Sequence, residues 1–427
     1  MPERTFPYGK ETIVYEIDDE RYAGSLVSKL HSYRSPKEER ELVRESLMNP
    51  VGTSRLSDLS VGKNKIVIIA SDHTRPVPSK VIIPELLAEI RKGNPEADIT
   101  ILIATGCHRS PTKEELISKF GENIYNAEKI VVHDCDDTDN LVNIGTLPSG
   151  GELIINRLAA ECDLLVSEGF IEPHFFAGFS GGRKSVLPGI ASRKTVVYNH
   201  NAHFIEHCNA RTGKLTHNPI HEDMLYAAKT AKLSFICNVV LNSEKKVVFA
   251  ASGDCEKAHK EGCNFLVQLC GVKAIPADIV ISTNGGYPLD QNIYQSVKGM
   301  TAAEATVRKG GVIIMLSKCN DGHGGESFYN TFHKTKDLNA LMQEFHNTPA
   351  NETIIDQWQS QIFARVLLHA TVVFISDAPD EMIRELKMIP AHTLEGALAI
   401  ADEILKKKGI ESGKIVDIPD GVSVIVE

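Results

Sequence analysis

The sequence predicts an α/β protein of two domains, each a largely parallel sheet flanked by helices, with the functional site in the cleft between them. Three observations predict it. At 427 residues the chain exceeds the length at which one core usually divides. Short β-rich runs alternate with longer helical patterns, the signature of βαβ units. Runs such as KIVIIAS and ITILIA are almost continuously apolar, as strands buried on both faces of a parallel sheet must be.

Strands are predicted at 11–17, 64–71, 98–105, 129–133, 163–168, 233–241 and 245–250. Helical patterns lie between them, such as PSKVIIPELLAEIRKG and TKEELISKFG. At GVKAIPAD the pattern resets. A strand at 278–283, a helix from about 290, a strand at 311–316, helices to 369, a strand at 371–376 and a helix at 393–408 follow. The boundary is therefore placed near Pro276, giving domains 1–272 and 273–412. The tail 413–427, GKIVDIPDGVSVIVE, reads as strand and is expected to return to the first domain. There is no internal repeat, low-complexity segment or heptad run.

Composition narrows the function. Charged residues make up 24% and hydrophobic ones 42%, an ordinary globular balance. A net charge of −10 and the lack of a basic arm argue against nucleic acid as a partner. The apolar runs are too short to span a bilayer, and the N-terminus lacks the basic-then-apolar pattern of a secretory signal. The nine cysteines are scattered without a C-x-x-C, which disfavours both a thiolate metal site and a disulfide framework. A cytoplasmic protein is expected, with any metal held by histidine, carboxylate or a cofactor.

In open α/β sheets, ligands collect at the carboxyl ends of the strands. Those positions here carry Asp72-His73-Thr74-Arg75, then Gly106-Cys107-His108-Arg109, then Glu172-Pro173-His174. In the second half Tyr287-Pro288 follows a strand, with Gln295 and Lys298 in the helix beyond. One such cluster is usually ordinary loop; four point to a shared cleft. The segment HFFAGFSGGRKSVLPGI (174–190) joins Gly178, Gly181 and Gly182 to the cations Arg183 and Lys184 and resembles an anion cradle. Its spacing is not that of a Walker A loop, and a mobile glycine loop reads the same way. His200, His203 and His207 are spaced to share a helical face and bind a metal, although capping and surface histidines are commoner. Asp321-Gly322-His323-Gly324-Gly325 either closes over a ligand or merely turns the chain. Trp358, the only tryptophan, fits a core as well as a pocket wall.

Together these segments resemble the nickel-pincer-dependent lactate racemase family. The strings SDHTRPVPS, TGCHR, EGFIEPHFFAGFSGGRKSVLPGI, TNGGYPLDQNIYQSVKGMTAAEAT, DGHGGE and DQW occur in order across nearly the whole chain. The resemblance implies racemisation of D- and L-lactate; the wider superfamily accepts other 2-hydroxy acids. Lactate members are distinguished partly by Tyr294, Gln295, Lys298 and Trp358, all present here. It implies nickel carried by a pyridinium-3,5-bisthiocarboxylate mononucleotide, covalently attached to Lys184, with His200 as the remaining nickel ligand. Asp72, Arg75, Gly181 and Gly182 become cofactor-binding positions, His203 and His207 return to structural roles, and cofactor-synthesis proteins become maturation partners. The sulfurs belong to the cofactor, consistent with the lack of a cysteine cluster.

The substrate dictates the chemistry. Removing the α-proton of lactate beside its ionised carboxylate would create a dianionic enediolate, whereas loss of hydride gives planar pyruvate with two equivalent faces. The cofactor carries that step while the protein positions and transfers protons. Two faces call for two bases, and His108 and His174 are the candidates, because imidazole titrates near neutrality. Arg75 suits the substrate carboxylate, since its planar fork pairs bidentately. Gln295 and Lys298, three residues apart, share a helix face suited to substrate oxygens. Tyr294 and Trp358 would wall the pocket, and Asp72 would orient Arg75 or a histidine, or simply cap its loop. A racemase or epimerase of another 2-hydroxy acid is the alternative. A nicotinamide-dependent dehydrogenase is disfavoured by the lack of G-x-G-x-x-G, and a nickel-storage or anion-binding protein leaves the paired imidazoles beside an arginine unexplained.

Overall fold

The structure, a computed structural model, describes residues 3–427. Two compact units divide it. One comprises Lys29–Leu269 with Ala350–Glu352; the other joins the chain up to Ser28 to Cys270–Pro349 and Thr353–Glu427. Each is built on a six-stranded sheet, as expected of an α/β fold.

In the first unit the sheet runs, edge to edge, Val247–Gly253, Leu233–Leu241, Leu164–Phe170, Lys65–Ser71, Asp98–Ala104 and Lys129–Val132. All neighbours are parallel except the first pair, which forms an antiparallel edge. The apolar runs lie inside: Ile66, Ile68, Ile101, Ile103, Val166 and Phe235 join one core with Ile82, Leu86 and Ile90 of helix Ser79–Gly93. Burial of these methyl-rich side chains drives the assembly, at about 1.5–3 kcal/mol each. The sequence order of the parallel strands reverses between Lys65–Ser71 and Leu164–Phe170. Chain connections leave that point in opposite directions, opening a crevice at the strands' carboxyl ends. The loops beginning at Asp72 and Ile171 emerge there.

The second unit's sheet runs Ile389–Ala391, Thr371–Ile375, Val307–Leu316, Ala277–Thr283, Ile415–Ile418 and Tyr22–Ser25, entirely parallel. The division of the chain thus differs from the sequence-based boundaries. The tail supplies strand Ile415–Ile418 and the pair Gly271–Val272 with Ile425–Val426, all inside the second unit. Residues 3–28, assigned by sequence to the N-terminal domain, join that same unit. Asp417 explains the attachment. Its carboxylate is fully buried and accepts hydrogen bonds from Tyr22 Oη and Ser25 Oγ, both at 2.7 Å, with Arg4 Nε at 3.7 Å. A buried carboxylate needs such partners, and all three come from the N-terminal segment.

This division predicts that a fragment of residues 29–269 unfolds cooperatively on its own, while a fragment of residues 273–412 does not. The latter lacks two of the six strands, leaving the flank of Ala277–Thr283 unpaired. Circular dichroism with urea unfolding of both fragments checks it.

Candidate active site

At the carboxyl end of Lys65–Ser71, Asp72 is 1% exposed and folds its own loop around itself. Its Oδ1 accepts from the Thr74 amide at 3.1 Å and the Thr74 hydroxyl at 2.6 Å. Its Oδ2 lies 2.8 Å from Nδ1 of His108, which comes from the loop after the neighbouring strand Asp98–Ala104. Burial alone would raise the Asp72 carboxyl, but the bonds from His108 and Thr74 outweigh it and hold the acid below its ordinary range. The ionised carboxylate therefore accepts Nδ1–H, leaving the lone pair on Nε2 of a side chain 44% exposed. This is the geometry of an oriented general base. Arg75 is also exposed, its Nη1 3.2 Å from Thr74 Oγ1.

Beyond strand Leu164–Phe170 the chain makes a two-residue ribbon, Pro173–His174 against Gly178–Phe179. His174 Nδ1 accepts the Ala177 amide at 3.3 Å, and its ring meets the edge of Phe176 at 4.5 Å. Phe176 is the hub of the site. His200 lies edge-on to it at 5.3 Å, and Lys184 Nζ is 5.7 Å from its ring centre. Burial, then Arg183 and Arg75, lower the Lys184 amine well below the usual lysine value. His200 follows helix Arg193–Asn199, and its buried ring donates Nδ1–H to the Val196 carbonyl at 2.9 Å. Nε2 keeps its lone pair, the form a metal ligand requires. Burial first, then the Lys184 charge, lower the His200 pKa to about 3.

Several sequence readings change here. Arg183 is not part of an anion cradle: it is fully buried and donates to the carbonyls of Ala177 at 2.7 Å and Phe179 at 2.8 Å. Gly181 and Gly182, at φ of +76° and +53°, answer to protein packing. A Cβ would lie 2.7 Å from Asn238 Oδ1 at the first and 2.8 Å from the His259 ring at the second. The Gly182 amide is already bonded to Asn238 Oδ1 at 2.7 Å. His200, His203 and His207 do not share a helical face, because the chain breaks at Asn201, which caps a new short helix Ala202–Glu206. His203 and His207 are exposed. Phe176, quoted within the glycine-rich segment but given no role, is the residue that sequence reasoning missed. Its position two after His174, in the adjacent aromatic pair Phe175-Phe176, was the available signal.

In the second unit Tyr294, Gln295 and Lys298 lie partly exposed on helix Ile293–Glu304, which Asn292 caps through the Gln295 amide at 3.0 Å. Tyr294 Oη donates to Asp356 at 2.7 Å, at the start of helix Gln357–His369, which carries the partly buried Trp358. The glycine loop is a structural turn: carbonyls of Gly322 and His323 accept the Ile293 and Tyr294 amides at 3.1 Å each. The Tyr294–Asp356 bond thus ties together the starts of the two helices that carry these four candidates.

Among the described residues the group of three close metal-capable side chains is Asp134, Cys135 and Asp136, which does not include His200. Asp136 is moreover engaged by Arg193 at 2.7 and 2.6 Å. No helix among the described residues is long and apolar enough to cross a membrane.

His200 generates a pH prediction. Its pKa falls from 6.5 to about 3 on folding, so between these values the unfolded state binds the extra proton and stability rises with pH. Urea unfolding at pH 4 and 7 should show His200→Gln losing less stability on acidification than the wild type.

Comparison with known proteins identifies the family. Residues 8–213 match the lactate racemase N-terminal domain and residues 272–426 the lactate racemase C-terminal domain. The chain is 55% identical over 422 residues to a lactate racemase of Lactiplantibacillus plantarum, covering 99% of each. It is 54% identical over 421 residues to one of Thermoanaerobacterium thermosaccharolyticum, covering 98% of each. The apoprotein structure of a lactate racemase from the latter organism superposes with a TM-score of 0.95 at 53% identity over the full length of both chains. A Thermotoga maritima structure at 19% identity and TM-score 0.63, covering 92% of this chain and 100% of that one, shares the fold. This chain belongs to the lactate racemase family, and is an isomerase.

Proposed function

We propose that this protein is a lactate racemase that holds a nickel-bearing pyridinium-3,5-bisthiocarboxylate mononucleotide on Lys184 and His200 and interconverts D- and L-lactate. The reading is supported above all by a desolvated lysine amine and a metal-competent imidazole that both meet the ring of Phe176. The residues fit the group. A neutral amine, unlike an ammonium, would be able to condense with a thiocarboxyl group of the cofactor, forming the C–N bond of a thioamide with loss of water, and the Lys184 amine is held towards neutrality. The Val196 carbonyl fixes the His200 tautomer that carries the lone pair on Nε2. No cysteine joins His200 in a metal-capable group among the described residues, so sulfur ligands would have to arrive with the cofactor. When bound, the group supplies a reversible acceptor for the substrate's α-hydride, chemistry that no side chain offers.

The protein's own residues supply the rest. Arg75 pairs bidentately with the lactate carboxylate, and Gln295 and Lys298 hold substrate oxygens. Tyr294 and Trp358 limit the size of the acid accepted. His108 takes the hydroxyl proton at Nε2 while Asp72 stabilises the imidazolium through Nδ1–H. His174 serves the opposite enantiomer; to act as a base at Nε2 it must carry its proton at Nδ1, displacing the weak 3.3 Å contact with the Ala177 amide. His108 needs no such adjustment. A cytoplasmic setting and maturation by cofactor-synthesis proteins belong to the same reading.

Optical purity of either lactate enantiomer, followed with matured protein, tests the function directly. His108→Ala and His174→Ala should each slow racemisation in both directions by roughly 10²–10⁴-fold. Near-native rates in either variant would contradict the two-base assignment. Protein made without the cofactor-synthesis pathway should be folded but inactive, and nickel salt alone should not restore it.

A further inference from the structure

The loop between strand Lys65–Ser71 and helix Ser79–Gly93 carries both Asp72 and Arg75, yet Thr74, Arg75 and Pro76 are exposed. A bidentate clamp works only from a fixed backbone. What fixes this one lies beneath it.

Glu168, on the central strand Leu164–Phe170, is 3% exposed and has no basic side chain in ion-pair contact among the described residues. Its Oε1 accepts the Ser79 hydroxyl at 2.5 Å, where the loop ends, and burial raises its carboxyl above the ordinary range. Its Oε2 has no hydrogen-bond partner among the described residues. Helix Lys113–Phe120 contributes the opposite charge. Lys119 Nζ lies 3.5 Å from the carbonyls of both Arg75 and Val77, and its charge acts on Glu168 and on Asp72. One turn earlier, Glu115 binds Arg109, beside His108, at 2.8 and 2.6 Å. The same helix therefore touches the loops of both candidate site strands.

We propose that Glu168 and Lys119 are positioning residues for the Arg75 loop: Glu168 holds its distal stem at Ser79, and Lys119 bridges the Arg75 and Val77 carbonyls. The inference rests on Arg75 being the substrate clamp. Neither residue touches substrate.

The test uses matured protein carrying Lys119→Met, Lys119→Arg, Glu168→Gln or Arg75→Lys, with KM and kcat measured for both enantiomers. Amide hydrogen exchange over residues 72–78 provides a readout independent of activity. Lys119→Met and Glu168→Gln should raise KM roughly tenfold, the scale of one lost charged hydrogen bond, with kcat within about threefold of wild type. Exchange over 72–78 should quicken while strand Lys65–Ser71 stays protected, and Lys119→Arg should restore both properties. Should Glu168→Gln fail to fold, Lys119→Met, on a partly exposed residue, decides alone. Unchanged KM and exchange in Lys119→Met, or a fall in kcat without a rise in KM, would overturn the proposal. Faster exchange in Lys119→Met with KM untouched by Arg75→Lys would instead overturn the reading of Arg75 as the clamp.

Discussion

The site depends on one buried cation. Arg183 is fully enclosed and pairs with no carboxylate among the described residues; its guanidinium instead donates to the carbonyls of Ala177 and Phe179. Placing a charge in such surroundings is costly unless its donors are satisfied, so the loop has to curl around the guanidinium to supply acceptors. Burial lowers the Arg183 pKa to about 10, yet it remains charged at neutral pH. The curled loop sets Phe176 and Lys184 at its two ends, and the Arg183 charge helps push the adjacent Lys184 amine towards its neutral form. One cation of the Gly-Gly-Arg-Lys sequence is thus structural, and it disfavours charge on the other.

Two electrostatic environments follow from the sheet's switch point. Around Phe176 protonation is disfavoured: burial lowers both Lys184 and His200, Arg183 and Arg75 add to it at Lys184, and the Lys184 charge adds to it at His200. Such groups suit covalent attachment and metal ligation, where lone pairs are needed. At the rim, Asp72 is ionised and oriented by Thr74 and His108, while Arg75 and His108 are exposed to solvent. Those groups suit the capture of an anionic substrate and exchange of its hydroxyl proton. The split between a desolvated inner pair and a wetter outer set separates cofactor retention from substrate turnover.

Much of this was legible in the sequence, for identifiable reasons. The runs KIVIIAS and ITILIA are buried on both faces, so no polar alternation obscures them, and the rule that ligands gather beyond strand ends led to Asp72, His108 and His174. The strand Tyr22–Ser25 was not legible, because YAGS has no apolar run and its place depends on Asp417 some four hundred residues away. Arg183 read as a ligand-binding cation because sequence cannot show that its Nη1 and Nη2 already donate to the carbonyls of Phe179 and Ala177. His203 and His207 keep the spacing of a helical face, but the Asn201 cap breaks that face. Phe176 was hidden by ordinariness, since a phenylalanine in an apolar stretch normally signals core.

The central claim is that Lys184 tethers the cofactor and His200 ligates its metal. Intact mass spectrometry and nickel analysis of Lys184→Ala and His200→Ala, both produced beside the cofactor-synthesis proteins, test it most directly. The account predicts that the Lys184 variant lacks the covalent mononucleotide mass, whereas the His200 variant keeps that mass but retains less nickel. A covalent adduct persisting in the Lys184 variant, or full nickel retention in the His200 variant, would contradict it.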